Sequence, residues 1–197
     1  LSTSQFGSVV SAYAISAGIS GILAAGFADK FDRKKLLLFF YTGFIIGTAF
    51  CALAYNYHTL LLARIVTGLF GGVVGSISMA IITDVFSLSQ RGRVMGFVQM
   101  AFAGSQILGI PIGLLLANVW GWHATFIMVV ILSILIGVAV VTRLKPLTEH
   151  LKLQSDKNAL QHLWHTIQKR DYRIGFMATA MLSLGGFMLM PFTSAFL

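Results

Sequence analysis

The stretch Thr59-Leu-Leu-Leu-Ala-Arg64-Ile-Val-Thr-Gly68-Leu-Phe-Gly-Gly-Val-Val-Gly-Ser-Ile-Ser-Met-Ala-Ile-Ile82 holds one charge, Arg64, in 24 residues. A helix that crosses a bilayer needs about 20 consecutive, mostly apolar residues, and this run has that length. Outward from it, residues 6–28, 36–55, 94–119 and 124–141 have the same character. A sixth run starts near Ile174 and is still apolar at Leu197. Soluble core helices rarely come in this number and at this length, so the expected fold is all-α, a polytopic transmembrane bundle of about six spans.

Composition agrees. The chain of 197 residues is 57% hydrophobic and 10% charged, against about 25% charged in soluble domains. Too little polar surface remains to solvate a globule, and the hydrophobicity excludes disorder. The formal net charge of +8 would suggest nucleic acid in a soluble domain. Its distribution points instead to a lipid bilayer as the partner, with no nucleic acid. Cys51, the single cysteine, excludes a disulfide framework and reads as a small core residue.

Thirteen of the 14 Lys and Arg residues lie in alternate connections, around residues 29–35, 84–93 and 143–173. The positive-inside rule puts those connections in the cytoplasm. Both ends of the chain then face outward. The chain starts at Leu1 with no basic n-region, so a helix preceding residue 1 is expected. The expected domains are 1–142, a helical half lacking its first helix; 143–173, a cytoplasmic linker; and 174–197, the first helix of a second half. Within the linker, Asp156 is placed to cap a helix running to about Gln168. Leu160, Leu163, Trp164 and Ile167 share one face of it, as in an interfacial amphipathic helix. His162 and His165 share this helix without acidic or thiol partners, so no metal is expected, and no cofactor.

Lipid gives helices no hydrophobic reward for associating, so close packing of small residues must supply the attraction. Such rows occur at Ala101, Ser105, Gly109, Gly113 and Ala117; at Gly68, Gly72 and Ser76; and at Ala17, Gly21 and Ala25. Pro111 and Pro191 fall inside spans, where each removes a backbone hydrogen bond.

Four motifs carry a family resemblance. The segment Gly26-Phe-Ala-Asp29-Lys30-Phe-Asp-Arg33-Lys34-Lys35 resembles the loop between the second and third helices of major facilitator transporters. Ala25 stands where that family often has Gly, and Asp32 where it has a turn Gly. Asp29 opposes the dipole at the end of its own helix, so it needs another partner. The resemblance implies a cytoplasmic gating cluster of Asp29, Lys30, Arg33, Lys34, Asp84 and Arg91. Arg64, followed four residues later by Gly68, is similar to the fourth-helix signature of proton-driven members, which implies proton coupling or substrate charge balance. An Arg so near its span end also has the option of snorkelling to the surface.

The segment Gly104-Ser-Gln-Ile-Leu-Gly109-Ile-Pro111-Ile-Gly113 resembles the fifth-helix signature of antiporters, with Pro111 displaced by Ile110. Followed by Gly121-Trp-His-Ala-Thr-Phe126, it resembles arabinose-efflux-like and drug-efflux permeases, with His123 in place of their usual Arg. The segment Arg91-Gly-Arg-Val-Met-Gly96 fits the matching second cytoplasmic loop. The resemblance covers nearly the whole chain and assigns its spans to helices two to seven of twelve.

It implies a secondary transporter, a proton-coupled exporter of a drug, sugar or nucleoside-like molecule. The protein would act as a monomer when complete, in the plasma membrane, the inner membrane of a bacterium. Tyr13, Gln99 and Gln106 are the polar candidates for a substrate cavity. Uptake by symport and a non-transporting sensor stand as alternatives. A membrane enzyme needs intramembrane acid or nucleophile clusters, whereas all six acidic residues lie in or at the basic connections.

Overall fold

A computed structural model describes residues 2–24, 27–147 and 168–193. The helices are α1 (Thr3–Ala24), α2 (Arg33–Ala52), α3 (Tyr57–Val85), α4 (Leu88–Trp120), α5 (Trp122–Arg143) and α6 (Arg170–Thr193). A single 3-10 turn, Ala28–Lys30, precedes α2. The described residues contain no strand. α1 to α5 form one compact unit, and α6 belongs to a second. Five helices, α1 to α5, are long and apolar enough to cross a membrane, and α6 occupies the place of the sixth expected span. The fold is an all-α transmembrane bundle.

Each helix starts two to six residues before its apolar run, and at α2 and α3 the polar flank supplies a side-chain cap. The Asp32 side chain accepts from the Lys34 backbone N–H at 2.8 Å and starts α2. Asn56 and Thr59 close a reciprocal capping box on α3 at 2.9 and 3.3 Å. Between α4 and α5 the chain turns on Gly121 alone, at φ 85°, a conformation L side chains rarely adopt.

α3 is the centre of the unit. It runs parallel to α1, and the small-residue rows meet there. A Cβ on Gly68 would collide with Ser16 and would lie 2.6 Å from the Tyr13 carbonyl oxygen. One on Gly72 would strike the Ala17 carbonyl and lie 2.6 Å from Ser20 Oγ. Gly21 faces Gly72 and Ser76 in turn. α2 lies antiparallel on another side of α3, with Gly47 against Thr67 and Gly43 against Phe70. Cys51 is fully buried there, its Sγ 3.7 Å from Thr67 Oγ1. The core divides into two clusters, Ala24, Leu36, Leu37, Val73 and Ile77 toward one end and Val9, Cys51, Ala54, Leu60 and Ala63 toward the other.

α5 packs on α2, where Tyr41 Oη donates to the Ser133 carbonyl at 3.0 Å. The row on α4 behaves differently from its counterparts. Gly113 packs on Thr125 of α5, whose hydroxyl donates to the Gly113 carbonyl at 3.0 Å. Among the described residues nothing lies within 4 Å of a Cβ placed on Gly104 or Gly109, and Ala101 and Ser105 are exposed. Pro111 sits inside α4 without ending it. The expected amphipathic helix with Leu160, Leu163, Trp164, Ile167, His162 and His165 lies outside the described residues, as does Ala25.

Candidate functional site

α3 carries a charge near each end. Arg64 is 20 positions before Asp84, about 30 Å at 1.5 Å per residue. The two therefore belong to different sites.

At the first site, Gly68 lets α1 approach α3 so closely that the residue one turn earlier, Arg64, reaches α1. Its guanidinium carbon stands 4.3 Å from the centre of the Tyr13 ring. That is a cation–π contact, within the about 6 Å such contacts allow. Both side chains are half-buried. Among the described residues this ring is the partner of Arg64, with no hydrogen-bond acceptor or carboxylate on its five N–H donors. The Arg-x-x-x-Gly spacing thus has a local physical meaning: the glycine sets the helix approach, and the arginine one turn away is laid across the neighbour's tyrosine.

The second site gathers helix ends. Arg33 Nε donates to Asp84 Oδ2 at 3.1 Å, joining the start of α2 to the end of α3. The Arg33 side chain is 7% exposed and that of Asp84 28%. Arg91, one turn into α4, donates through Nη2 to the Thr83 carbonyl at 2.6 Å and through Nε to the Phe86 carbonyl at 3.0 Å. Lys34 Nζ donates to the Val141 carbonyl at 3.0 Å, near the end of α5. Cations there satisfy orphan carbonyls and complement the negative end of the helix dipole. Asp32 ties in the chain after α5 by accepting from the Leu147 N–H at 3.3 Å. Asp29 lies in the 3-10 turn, and its side chain is outside the described residues. Lys30 is exposed.

The structure therefore brings Arg33, Lys34, Asp84 and Arg91 to one end of the bundle and Arg64 onto Tyr13 elsewhere. It does not bring Gln99 and Gln106 to either. Gln99 is exposed on α4, and Gln106 is half-buried. Sequence reasoning missed the role of Asp32, whose φ of −56° needs no glycine and whose side chain caps α2. The signal was present, an Asp directly before a helical run. It also missed His123, whose Nε2 lies 3.1 Å from the Ala54 carbonyl and ties α5 to the far end of α2. Among the described residues, no three His, Cys, Asp or Glu side chains group as metal ligands.

A sequence profile of the Major Facilitator Superfamily matches residues 1–197. Multidrug resistance protein fnx1 of Schizosaccharomyces pombe is 31% identical over 137 residues, covering 70% of this chain and 26% of that protein. The Uncharacterized MFS-type transporter YceJ of Bacillus subtilis is 32% identical over 167 residues, 83% of this chain and 42% of that protein. The Vacuolar membrane amino acid uptake transporter fnx2 of Schizosaccharomyces pombe is 33% identical over 124 residues, 63% of this chain and 22% of that protein. The chain spans less than half the length of these curated relatives. With a helical bundle built for a bilayer and a match along its whole length, the chain belongs to the Major Facilitator Superfamily.

Proposed function

We propose that the protein to which this chain belongs is a secondary active transporter that exports a small molecule, drug- or sugar-like, in exchange for protons. The observation that carries this reading is the Arg64–Tyr13 pair. A guanidinium within a span is expensive, about 2.5 to 3.5 kcal/mol at a helix centre on insertion scales. Here it is held by a ring that takes up none of its N–H donors. Those donors are available to a carboxylate or an anionic substrate group, and a carboxylate facing Arg64 would give up its proton more readily. Tyr13, with Gln99 and Gln106, would line the substrate path.

The residues Arg33, Lys34, Asp84 and Arg91, with Asp29 and Lys30 beside them in sequence, form the proposed gate. It would hold the basic end shut by pairing helix ends and would open as the two halves rock about a midplane site. The segment with Gly104, Gly109, Pro111 and Gly113 would be the antiporter-type element that slides during that motion. The basic end would face the cytoplasm, in the inner membrane of a bacterium, and the complete protein would work as a monomer. The name of fnx1, a multidrug resistance protein, supports a drug-like substrate, and the name of fnx2 supports a second reading, uptake by the same architecture.

The test is a pH gradient across inverted vesicles carrying the full-length gene product, challenged with a panel of drugs, sugars and nucleosides. Export by exchange predicts that at least one compound collapses the gradient. Accumulation of a compound by intact cells, driven by the same gradient, would overturn export in favour of uptake.

A further inference from the structure

A cleft of about 300 Å³ opens between α2 and α5. Leu38, Tyr41 and Ile45 form one wall, and Ile134, Val138 and Val141 the other. The floor is open because residue 137 is glycine; a Cβ there would already touch the Tyr41 ring at 3.3 Å. The hydroxyls in the cleft are all occupied. Tyr41 donates to the Ser133 carbonyl, Thr42 to the Leu38 carbonyl at 2.8 Å, and Thr142 to the Val138 carbonyl at 2.9 Å. The walls therefore offer hydrocarbon contact and no spare hydroxyl donor for a solute. The opposite wall is about half exposed, with Ile134 at 48%, Val138 at 58% and Val141 at 53%, so the cleft is open on the surface of this helical unit.

Its polar end is charged. Lys34 Nζ sits on the carbonyl of Val141, a wall residue, and so stands at the mouth. Among the described residues that carbonyl is its partner, leaving two of its three N–H donors. Lys35, Arg143 and Lys145 are exposed at the same end of the two helices. Among the described residues the nearby acids are committed: Asp84 pairs with Arg33, and Asp32 caps α2 and holds Leu147. Along the axis, Leu38 to Ile45 spans seven residues, about 10 Å, within the roughly 15 Å depth of one leaflet.

We infer that this cleft binds an anionic phospholipid of the surrounding bilayer, one acyl chain lying between Tyr41 and Val138 and the phosphate at Lys34 and Lys35, with Arg143 and Lys145 adding to the field. Basic pockets between membrane helices hold acidic headgroups in this way. The inference does not rest on transport, only on the chain's place in a membrane.

The experiment is native mass spectrometry of the full-length protein with phosphatidylglycerol and phosphatidylcholine of matched acyl chains. Phosphatidylglycerol should bind preferentially. Lys34→Gln with Lys35→Gln should weaken it by roughly tenfold to thirtyfold, and the paired Lys→Arg variant should retain it. Val138→Trp, at an exposed wall position, should displace the lipid while leaving the monomer peak and thermal transition unchanged. Equal binding of the two lipids would overturn the inference. So would phosphatidylglycerol binding that responds to the lysines but not to Val138→Trp, since that is adsorption to a basic surface.

Discussion

The two charged regions of α3 solve the same physical problem differently. At the basic end Arg33 is tied to the Asp84 carboxylate, and Arg91 and Lys34 to helix-end carbonyls, at 2.6 to 3.1 Å. At Arg64 the charge rests on an aromatic face at 4.3 Å. Cations hydrogen-bonded to carbonyls and a carboxylate at helix ends hold those ends in place. A stacked cation keeps its donors and can change partners at little cost. The first arrangement suits a latch and the second an exchange site.

The largest expected effect comes from breaking the helix contact that supports Arg64. Gly68→Leu forces α1 off α3, because even a Cβ there meets Ser16 and the Tyr13 carbonyl. Overpacking of this kind costs about 2 to 3 kcal/mol. The thermal transition of the detergent-solubilised full-length protein should drop markedly, and transport should disappear. Gly104→Leu, facing open space among the described residues, should shift the transition far less.

The basic end is probed by Arg33→Ala, which leaves the carboxylate of Asp84 without that guanidinium. The loss should be about 2 kcal/mol, below the range for fully buried pairs because Asp84 is 28% exposed. The same thermal measurement reads it. Next comes the ring under Arg64. Tyr13→Leu should cost about 1 kcal/mol and Tyr13→Phe nearly nothing, since the cation–π contact needs the ring and not the hydroxyl. Equal effects from the two would mean that Arg64 does not depend on the ring. The smallest effect is that of Arg91→Gln, which removes a cation from the carbonyls ending α3 and should cost under about 1 kcal/mol.

Much of the fold was legible because membrane spans are written in length and apolarity, which one sequence displays in full. All six expected runs appear as helices, extended by caps such as Asp32 and Asn56. That α1 and α3 are each closely approached was legible too, from the rows at Ala17 and Gly21 and at Gly68 and Gly72; that these two rows meet each other is a finding of the structure. What was hidden is rotation. Tyr13 and Arg64 stood out separately, but their pairing depends on which face of α1 meets Gly68, and a row of small residues fixes that only once both helices are docked. The same blindness explains the α4 row. Ala101, Ser105 and Gly109 follow the same spacing as Gly68 and Gly72, yet within the described residues only Gly113 packs against a neighbour. Spacing reports that a helix can be approached closely, not which neighbour does so.

The most direct test of the account is proton flux driven by an exported compound in inverted vesicles, compared between wild-type and Arg64→Ala full-length protein, with binding of that compound measured on the same preparations. The account predicts that flux falls by about a hundredfold or more, the scale of losing a positioned group in proton transfer, while the variant still inserts and still binds the compound. Flux that persists in Arg64→Ala at the wild-type rate would contradict it and leave Arg64 as a side chain reaching for the membrane surface.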